Sequence, residues 1–507
     1  TDKKLNRGIS RATDNVNLVS QARSEILNDS CEQEYCIETP IHTFTLPDIN
    51  CYPDEFRKFL VKDLIAISTQ DSLEQANRLN WWTSYCQRLW PLSTSGDGNC
   101  LLHAASLGMW GFHDRLLTLR KTLHSYLTQS PRREALWRRW RRQQDQLNAQ
   151  AGLVYSEVEW RQEWNAIVNM ASSEPRLRRL SVQSLEEIHV LALAHVIKRP
   201  IIVVADTVLK DLNGDDLAPI PFGGIYLPLE CIPSECHRSP LLLAYDGGHF
   251  SALVSMETSN PASKLVQYLA SAIPLTDMAG DLLPIQFSVD PGTNGNMAES
   301  HDLTYCQNID LLTTYLDLIR IEPTRESYLA IADKISSSSM VSSDDGKNGK
   351  FGSFGKTVGQ KLRLKLTRSN SQRQAKSVLC AILHIDKRHE YHDAMIKNYL
   401  ETARQRFQQQ KDNKKSMAGG GPRYNSGKSQ FYTEADKESH ARVSQLTPVK
   451  QPPLRPDPTL YLCNSTFYQS ASPALDASCQ PCRADSCAFF GNPLTQNYCS
   501  KCYHDLI

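Results

Sequence analysis

From residue 53 onward, apolar side chains recur at helical spacing through several segments and then give way to short, continuous apolar runs. Pro53-Asp54-Glu55 opens the first helix, with Phe56, Phe59, Leu60, Leu64 and Ile67 on one face. A second is expected near Asp71, carrying Leu73, Ala76, Leu79 and Trp82 and closed by Asn80-Trp81-Trp82. The run from Cys100 to Trp110 reads as a buried helix through Leu101, Leu102, Ala104, Ala105 and Leu107. Residues 114–127 follow with Leu116, Leu119, Leu123 and Leu127. Residues 131–144 set Arg132, Arg133, Arg138, Arg139, Arg141 and Arg142 around Trp137 and Trp140. Ser156 with Glu159, and Ser184 with Glu187, have the spacing of capping boxes and mark two more helix starts.

The second of these ends at Lys198-Arg199-Pro200, and the period then changes to that of strands. Ile201 to Ala205, Gly224 to Leu229, Leu241 to Tyr245 and the stretch Tyr245 to Val254 are strand candidates, the last folded back at Gly247-Gly248. Helices first and strands later predict an α+β domain with a small mixed sheet packed between helices. Residues 1–44 read as a polar lead-in and 45–325 as the folded domain. Residues 326–475, rich in Ser, Gly, Pro and basic side chains, read as a linker holding one helix near 391–410, and 478–507 as a small terminal module.

Composition narrows the class. At 507 residues the chain is long enough for two or three units, and its net charge of +1 offers nucleic acid no global attraction. The arginine–tryptophan segment could bind nucleic acid or an acidic surface, but a solvated helix face over buried tryptophans is the preferred reading. No apolar run approaches the ~18 residues that span a bilayer. Fifteen cysteines, an odd number with five between Cys479 and Cys502, suit a reducing compartment and a metal site better than a disulfide framework. The chain opens on Thr1, and no N-terminal targeting segment is visible.

The candidate chemistry centres on Ser95-Gly96-Asp97-Gly98-Asn99-Cys100. Glycines let the backbone turn sharply before a cysteine at a helix start, where the dipole favours thiolate and unpaired amides around Asp97 to Cys100 could hold an oxyanion. A thiol nucleophile needs a base, and His249 stands at the mouth of the predicted hairpin. His103, on the cysteine's own helix, is the rival base, whereas His189 and His195 read as core histidines.

The sequence Gly96-Asp97-Gly98-Asn99-Cys100-Leu101-Leu102-His103-Ala104-Ala105-Ser106-Leu107-Gly108-Met109-Trp110-Gly111, together with Ser184 to His189, Arg199 to Asp206, Gly223 to Leu229 and Tyr245 to Val254, resembles the ovarian-tumour (OTU) family of cysteine deubiquitinases. It is most similar to the branch containing Cezanne and Trabid, on the Cezanne side. The resemblance implies a papain-like fold over about 45–325, with Cys100 as nucleophile, His249 as base, and Asp97, Gly98 and Asn99 in the oxyanion loop, Asp97 counted among the catalytic residues. The branch's orienting acid aligns with Ala66, so either Asp63 or Asp71 substitutes for it or the thiolate–imidazolium pair operates without a strong orienter, with Ser251 a weaker partner for His249.

At the C-terminus, Cys482-x4-Cys487-x11-Cys499-x2-Cys502 offers four soft ligands for one tetrahedral zinc. Cys479-x2-Cys482 with the last pair would also make a zinc ribbon, and Cys479 is kept as a reserve ligand. The x4/x11/x2 spacing and Phe489-Phe490-Gly491-Asn492 resemble the A-twenty type of finger, which implies structural zinc and ubiquitin binding. The expectation is a deubiquitinase without a catalytic cofactor, acting on ubiquitin chains and ubiquitinated proteins. A cytoplasmic and nuclear location and a preference for chains linked through ubiquitin's eleventh lysine are implied with it. A weakly active or inactive ubiquitin-binding scaffold is the alternative.

Overall fold

The computed structural model describes residues 8–28, 30–31, 35–173, 184–210, 216–257, 269–292, 302–322, 377–385, 388–418 and 483–484. The chain divides into two compact units, 1–404 with 479–507, and 405–478. All strands described here lie in the first unit, and of the second only the distal part of a helix is described.

Ten helices are used here as α1 (Val16–Asn28), α2 (Asp54–Leu64), α3 (Ile67–Gln75), α4 (Cys100–Trp110), α5 (Thr118–Gln129), α6 (Arg133–Gln150), α7 (Glu157–Met170), α8 (Glu187–Val196), α9 (Tyr305–Tyr315) and α10 (Glu390–Ala418). Two small antiparallel pairs, β1 (Ser30–Cys31) with β2 (Cys36–Ile37) and β6 (Val208–Lys210) with β7 (Asp216–Pro219), lie apart from the main sheets. The main sheet is mixed, in the order β3 (Thr45–Leu46), β10 (His249–Met256), β9 (Leu241–Asp246), β5 (Ile201–Ala205), β8 (Gly224–Tyr226), with β4 (Trp90–Pro91) also on β10. β9 and β10 are antiparallel, whereas β5 and β9 are parallel. Every residue of β5 is buried, as a continuous apolar run demands of a strand covered on both faces. Helix α4, buried from Leu101 to Trp110, packs on β9 and β10, and a Cβ at Gly108 would meet Leu241 Cδ1 at 2.8 Å.

The second sheet is antiparallel, β11 (Ala272–Pro274), β13 (Val378–Ile382), β12 (Leu318–Ile321). Its central strand comes from the stretch expected to be linker. From the same stretch, α10 buries Met395, Tyr399 and Ala403, and the Tyr399 hydroxyl donates to buried Asp63 Oδ2 at 2.8 Å. The expected lead-in also packs: Val19 and Ala22 of α1 are buried, and Asn15 Nδ2 donates to Met395 O at 2.8 Å. Val378-Leu-Cys-Ala-Ile382 is too short an island among polar residues for its periodicity to stand out.

Several helix ends depart from expectation. Ile67 is exposed and begins α3 instead of completing α2, because Ala66 breaks the helix and its N–H pairs with Pro91 O at 2.9 Å. α3 stops at Gln75 as Asn77 and Asn80 turn left-handed, leaving Leu79 and Trp82 buried on a turn. α5 starts only at Thr118, where Asp114 accepts from the Thr118 and Leu119 amides at 2.8 and 3.0 Å, and Leu116 is exposed. The Ser156–Glu159 capping box is formed, but α8 is capped by Glu186 with His189, not by Ser184 with Glu187.

The arginines of α6 do not form a free basic face. Arg138 pairs bidentately with Asp290, Arg139 with Glu230, Arg141 with Glu157 and Arg142 with Asp302, while Trp137 and Trp140 are buried against Trp160 and Trp164. Among the described residues no helix is long and apolar enough to cross a membrane. The Tyr399–Asp63 bond generates a test of how firmly α10 belongs to this unit. Tyr399→Phe should lower unfolding free energy by ~1–3 kcal/mol with an unchanged denaturant slope, and an unchanged midpoint would show that the bond holds nothing.

Candidate active site

Cys100 is the first residue of α4, and the loop before it is held from several sides. Asp97 Oδ1 accepts from the Asn99 N–H at 3.1 Å, closing an Asx turn in which Gly98 takes φ +84°. Asp97 Oδ2 lies 3.0 Å from His103 Nε2 and 3.5 Å from Arg115. Burial would raise the Asp97 carboxyl, but its hydrogen bond to His103, that residue's charge and the Asn99 contacts hold it below its ordinary value. The Ser95 N–H donates to His113 Nε2 at 3.1 Å, and Arg115 Nη2 to Ser95 Oγ at 2.7 Å. His103 is thereby removed as a rival base, because its buried ring lies between Asp97 and His113.

The strongest tether is Arg120, whose side chain was overlooked in the sequence. It is fully buried at 0 % exposure, and Nη1 donates to Asn99 Oδ1 at 2.8 Å and Gly98 O at 3.3 Å. Nε donates to Ser172 O at 3.2 Å and Nη2 to Met170 O, so one guanidinium joins the cysteine loop to the end of α7. Desolvation pulls Arg120 down to about 10, so it remains charged at neutral pH, with Asp97 and Cys100 opposing the fall. Its spacing from Leu119 and Leu123 was the available signal, since a charge among buried helix positions must be paired.

On the other side stands the β9–β10 hairpin. Gly247 and Gly248, at φ +53° and +76°, make its two-residue turn, and half-buried His249 pairs in register with Asp246. Phe222, Tyr245 and Phe250 pack ring to ring at 4.2 to 5.2 Å and stiffen this end of the sheet. Phe250, next to His249, lines the same cleft as Cys100. Burial pushes the Cys100 thiol up; the Phe250 and Leu101 amides work against that rise, and the Asp97 charge adds to it. Burial thus works against the thiolate that the helix start favours. A narrow cleft of about 40 Å³ runs past the sulfur between Gly98, Leu101, Leu185, Tyr245 and Gly248.

The expected orienting groups are placed differently. Asp63 turns to Tyr399, Asp71 is exposed, and buried Ser251 Oγ has no hydrogen-bond partner among the described residues. Asp246 is the register partner of His249 across the hairpin, and Ser72 Oγ of α3 donates to its Oδ1 at 2.9 Å. His189 and His195 are core histidines, bonded to Ile167 O and Leu191 O, and burial drives them down to about 4 and about 3. Cys482, Cys487, Cys499, Cys502 and the reserve Cys479 lie outside the described residues. Arg120→Lys, which keeps the charge and loses the planar fork, should lower stability by ~1.5–3 kcal/mol and change the rate of Cys100 alkylation in the folded protein. Unchanged stability and alkylation would show that the tether is idle.

Residues 95–250 match the family model of the OTU-like cysteine protease, and residues 480–507 match that of the A20-like zinc finger, a span that takes in the four assigned cysteines and leaves out Cys479. The chain is similar to Tumor necrosis factor alpha-induced protein 3 of Mus musculus, 40 % identical over 233 residues, which are 45 % of this chain and 30 % of that protein. The Homo sapiens protein of the same name is 39 % identical over 233 residues, 45 % of this chain and 29 % of its own length. The chain therefore spans less than a third of the length of these relatives. A solved structure of the OTUD1 OTU domain aligns over 37 % of this chain and 94 % of its own, at 18 % identity and a TM-score of 0.21. The chain thus carries an OTU domain, a papain-like cysteine protease fold of mixed helices and sheet, and a C-terminal A20-like zinc finger.

Proposed function

We propose that this chain is a thiol-dependent deubiquitinase, hydrolysing isopeptide bonds between a ubiquitin C-terminus and a lysine. The observation that carries the reading is the single cleft that Cys100 and Phe250 line together with Gly98, Tyr245 and Gly248, because it puts the nucleophile against the strand that begins with His249. His249 takes the Cys100 proton as the sulfur attacks the carbonyl, then gives it to the leaving amine, and water releases the thioester. The cleft's narrowness suits an extended peptide end with small side chains. Asp97 acts through the loop it shapes; since the Asn99 N–H is taken by Asp97, the oxyanion falls to the amides of Gly98 and Cys100. Asp246, opposite His249 and fixed by Ser72, is the orienting carboxylate in place of the aligned Ala66.

Four cysteine thiolates at Cys482, Cys487, Cys499 and Cys502 fit one structural zinc, which would supply the folding energy of so small a module. The finger would hold ubiquitin on a tether and raise its concentration near the OTU domain. Kinship with Cezanne and Trabid, and with it a preference for chains joined through the eleventh lysine, rests on the quoted motifs and on the order of OTU domain, basic stretch and finger. Action in the cytoplasm and nucleus is proposed on cysteine usage and the basic stretch at 351–368. The second reading, a ubiquitin-binding scaffold with little activity, is favoured by Ala66 and by the commitment of Asp63 to Tyr399.

A panel of ubiquitin dimers, one per linkage, decides among these. The wild type should cleave, fastest at the eleventh-lysine linkage, and Cys100→Ala should be inert. Asp246→Asn should lower kcat by about 10²–10⁴, as loss of an orienting acid does, without loss of stability. Folded wild type that cleaves no dimer contradicts the enzyme reading, and an Asp246→Asn form with full kcat removes Asp246 from it.

A further inference from the structure

The cysteine loop is held at its entry as well as beside Cys100, and the entry anchor is a histidine. The chain arrives pinned, with the Leu92 and Ser93 amides donating to Ala252 O and Leu64 O, each at 2.8 Å. The Ser95 N–H then donates to His113 Nε2 at 3.1 Å. An accepting Nε2 places the ring proton on Nδ1, so the neutral imidazole is the form that makes this bond. Arg115, two residues on, donates to Ser95 Oγ at 2.7 Å and lies 3.5 Å from Asp97 Oδ2. Glycines at 96 and 98 give the stretch between Ser95 and Cys100 little stiffness of its own, so these bonds and those of Arg120 decide where its amides point.

Several elements put His113 in place. Gly111, at φ +77°, ends α4 in the left-handed region, and a Cβ there would meet Phe44 Cδ2 at 2.6 Å. Ser106 Oγ donates to Phe112 O at 2.6 Å, so the chain turns back along its own helix. His113 is 5 % exposed, its ring meets that of His103 edge-on with centroids 5.1 Å apart, and its carbonyl accepts from Arg23 Nη2 of α1 at 3.1 Å. Arg23 also covers the Phe112 ring, 5.3 Å from its centroid. Helix α1 thus supports the residue that supports the loop. The two histidines divide the work: His103 meets the Asp97 carboxylate, and His113 meets the loop's backbone.

We propose that His113 is a positioning residue for the Cys100 nucleophile, fixing through the Ser95 amide the loop whose Gly98 and Cys100 amides receive the oxyanion. The proposal rests on the deubiquitinase reading above. Losing the acceptor frees Ser95 to swing about Gly96, and the Gly98 and Cys100 amides then move off the point where negative charge develops. Such a shift weakens stabilisation of the transition state and leaves ground-state binding of ubiquitin largely in place. It therefore lowers kcat and moves KM little.

The test compares His113→Phe, which keeps a ring and loses the acceptor, with His113→Gln, whose Oε1 reaches the place of Nε2, and His113→Asn, whose amide is one methylene shorter. Steady-state hydrolysis of ubiquitin carrying a C-terminal fluorogenic amide gives kcat and KM for the full chain, and denaturant midpoints separate loss of rate from loss of fold. His113→Phe and His113→Asn should lower kcat about 10²-fold at nearly constant KM, and His113→Gln should recover most of that loss. If the Phe form does not fold, the comparison of the Gln and Asn forms carries the same decision. Equal kcat in the wild type and the Asn form, a loss in the Gln form as large as in the Asn form, or a change in KM alone overturns the role of His113, while turnover by the wild type upholds the enzyme reading. Folded wild type without turnover overturns both.

Discussion

A guanidinium with no access to water holds the cysteine loop in shape. Arg120 donates to the loop at Gly98 and Asn99 and to the end of α7 at Met170 and Ser172. An unpaired charge at this depth would cost several kcal/mol, so each partner's position is constrained by the others. Asp97 then closes the turn from the opposite side, bonded to Asn99 and His103, and α4 can begin at Cys100 with its sulfur in the cleft.

The hairpin supplies the complementary surface by different means. Its glycine turn sets register, so His249, Ser251 and Leu253 alternate with Phe250 and Ala252 along β10. Phe250 does double service: its ring joins the aromatic cluster with Phe222 and Tyr245, and it lines the cleft that holds Cys100. The Tyr245 hydroxyl, pushed up to about 12 by burial with Cys100, Glu187 and Asp246 adding to it, remains a neutral wall at neutral pH. Helix start and strand end are thus brought together by packing of apolar residues, and polar groups trim the fit.

What could be read from the sequence was whatever depended on local pattern. The α4 helix, the continuous run of β5 and the Gly-Gly turn before His249 each carry their signal within about ten residues. Partners chosen across the fold carry no such signal. Arg120 looks like one more helix surface charge until α7 is packed beside it, and Asp246 is a turn residue until Ser72 reaches it. β13 pairs with strands more than fifty residues away in sequence, so a short apolar island among polar residues passed for linker. The cap of α8 shifted from Ser184 to Glu186 because His189 Nδ1 accepts from the Glu186 amide at 2.9 Å, a histidine in a role usually filled by Glu or Gln.

The central claim is that Cys100 is a nucleophile aimed at the C-terminus of ubiquitin. The most direct measurement is covalent labelling of the full chain by a ubiquitin whose C-terminus carries an electrophile, with the adducted residue identified by mass. The account predicts a single adduct on Cys100, lost in Cys100→Ala and slowed in His249→Ala. An unlabelled folded wild type, or an adduct on any other cysteine, would contradict it.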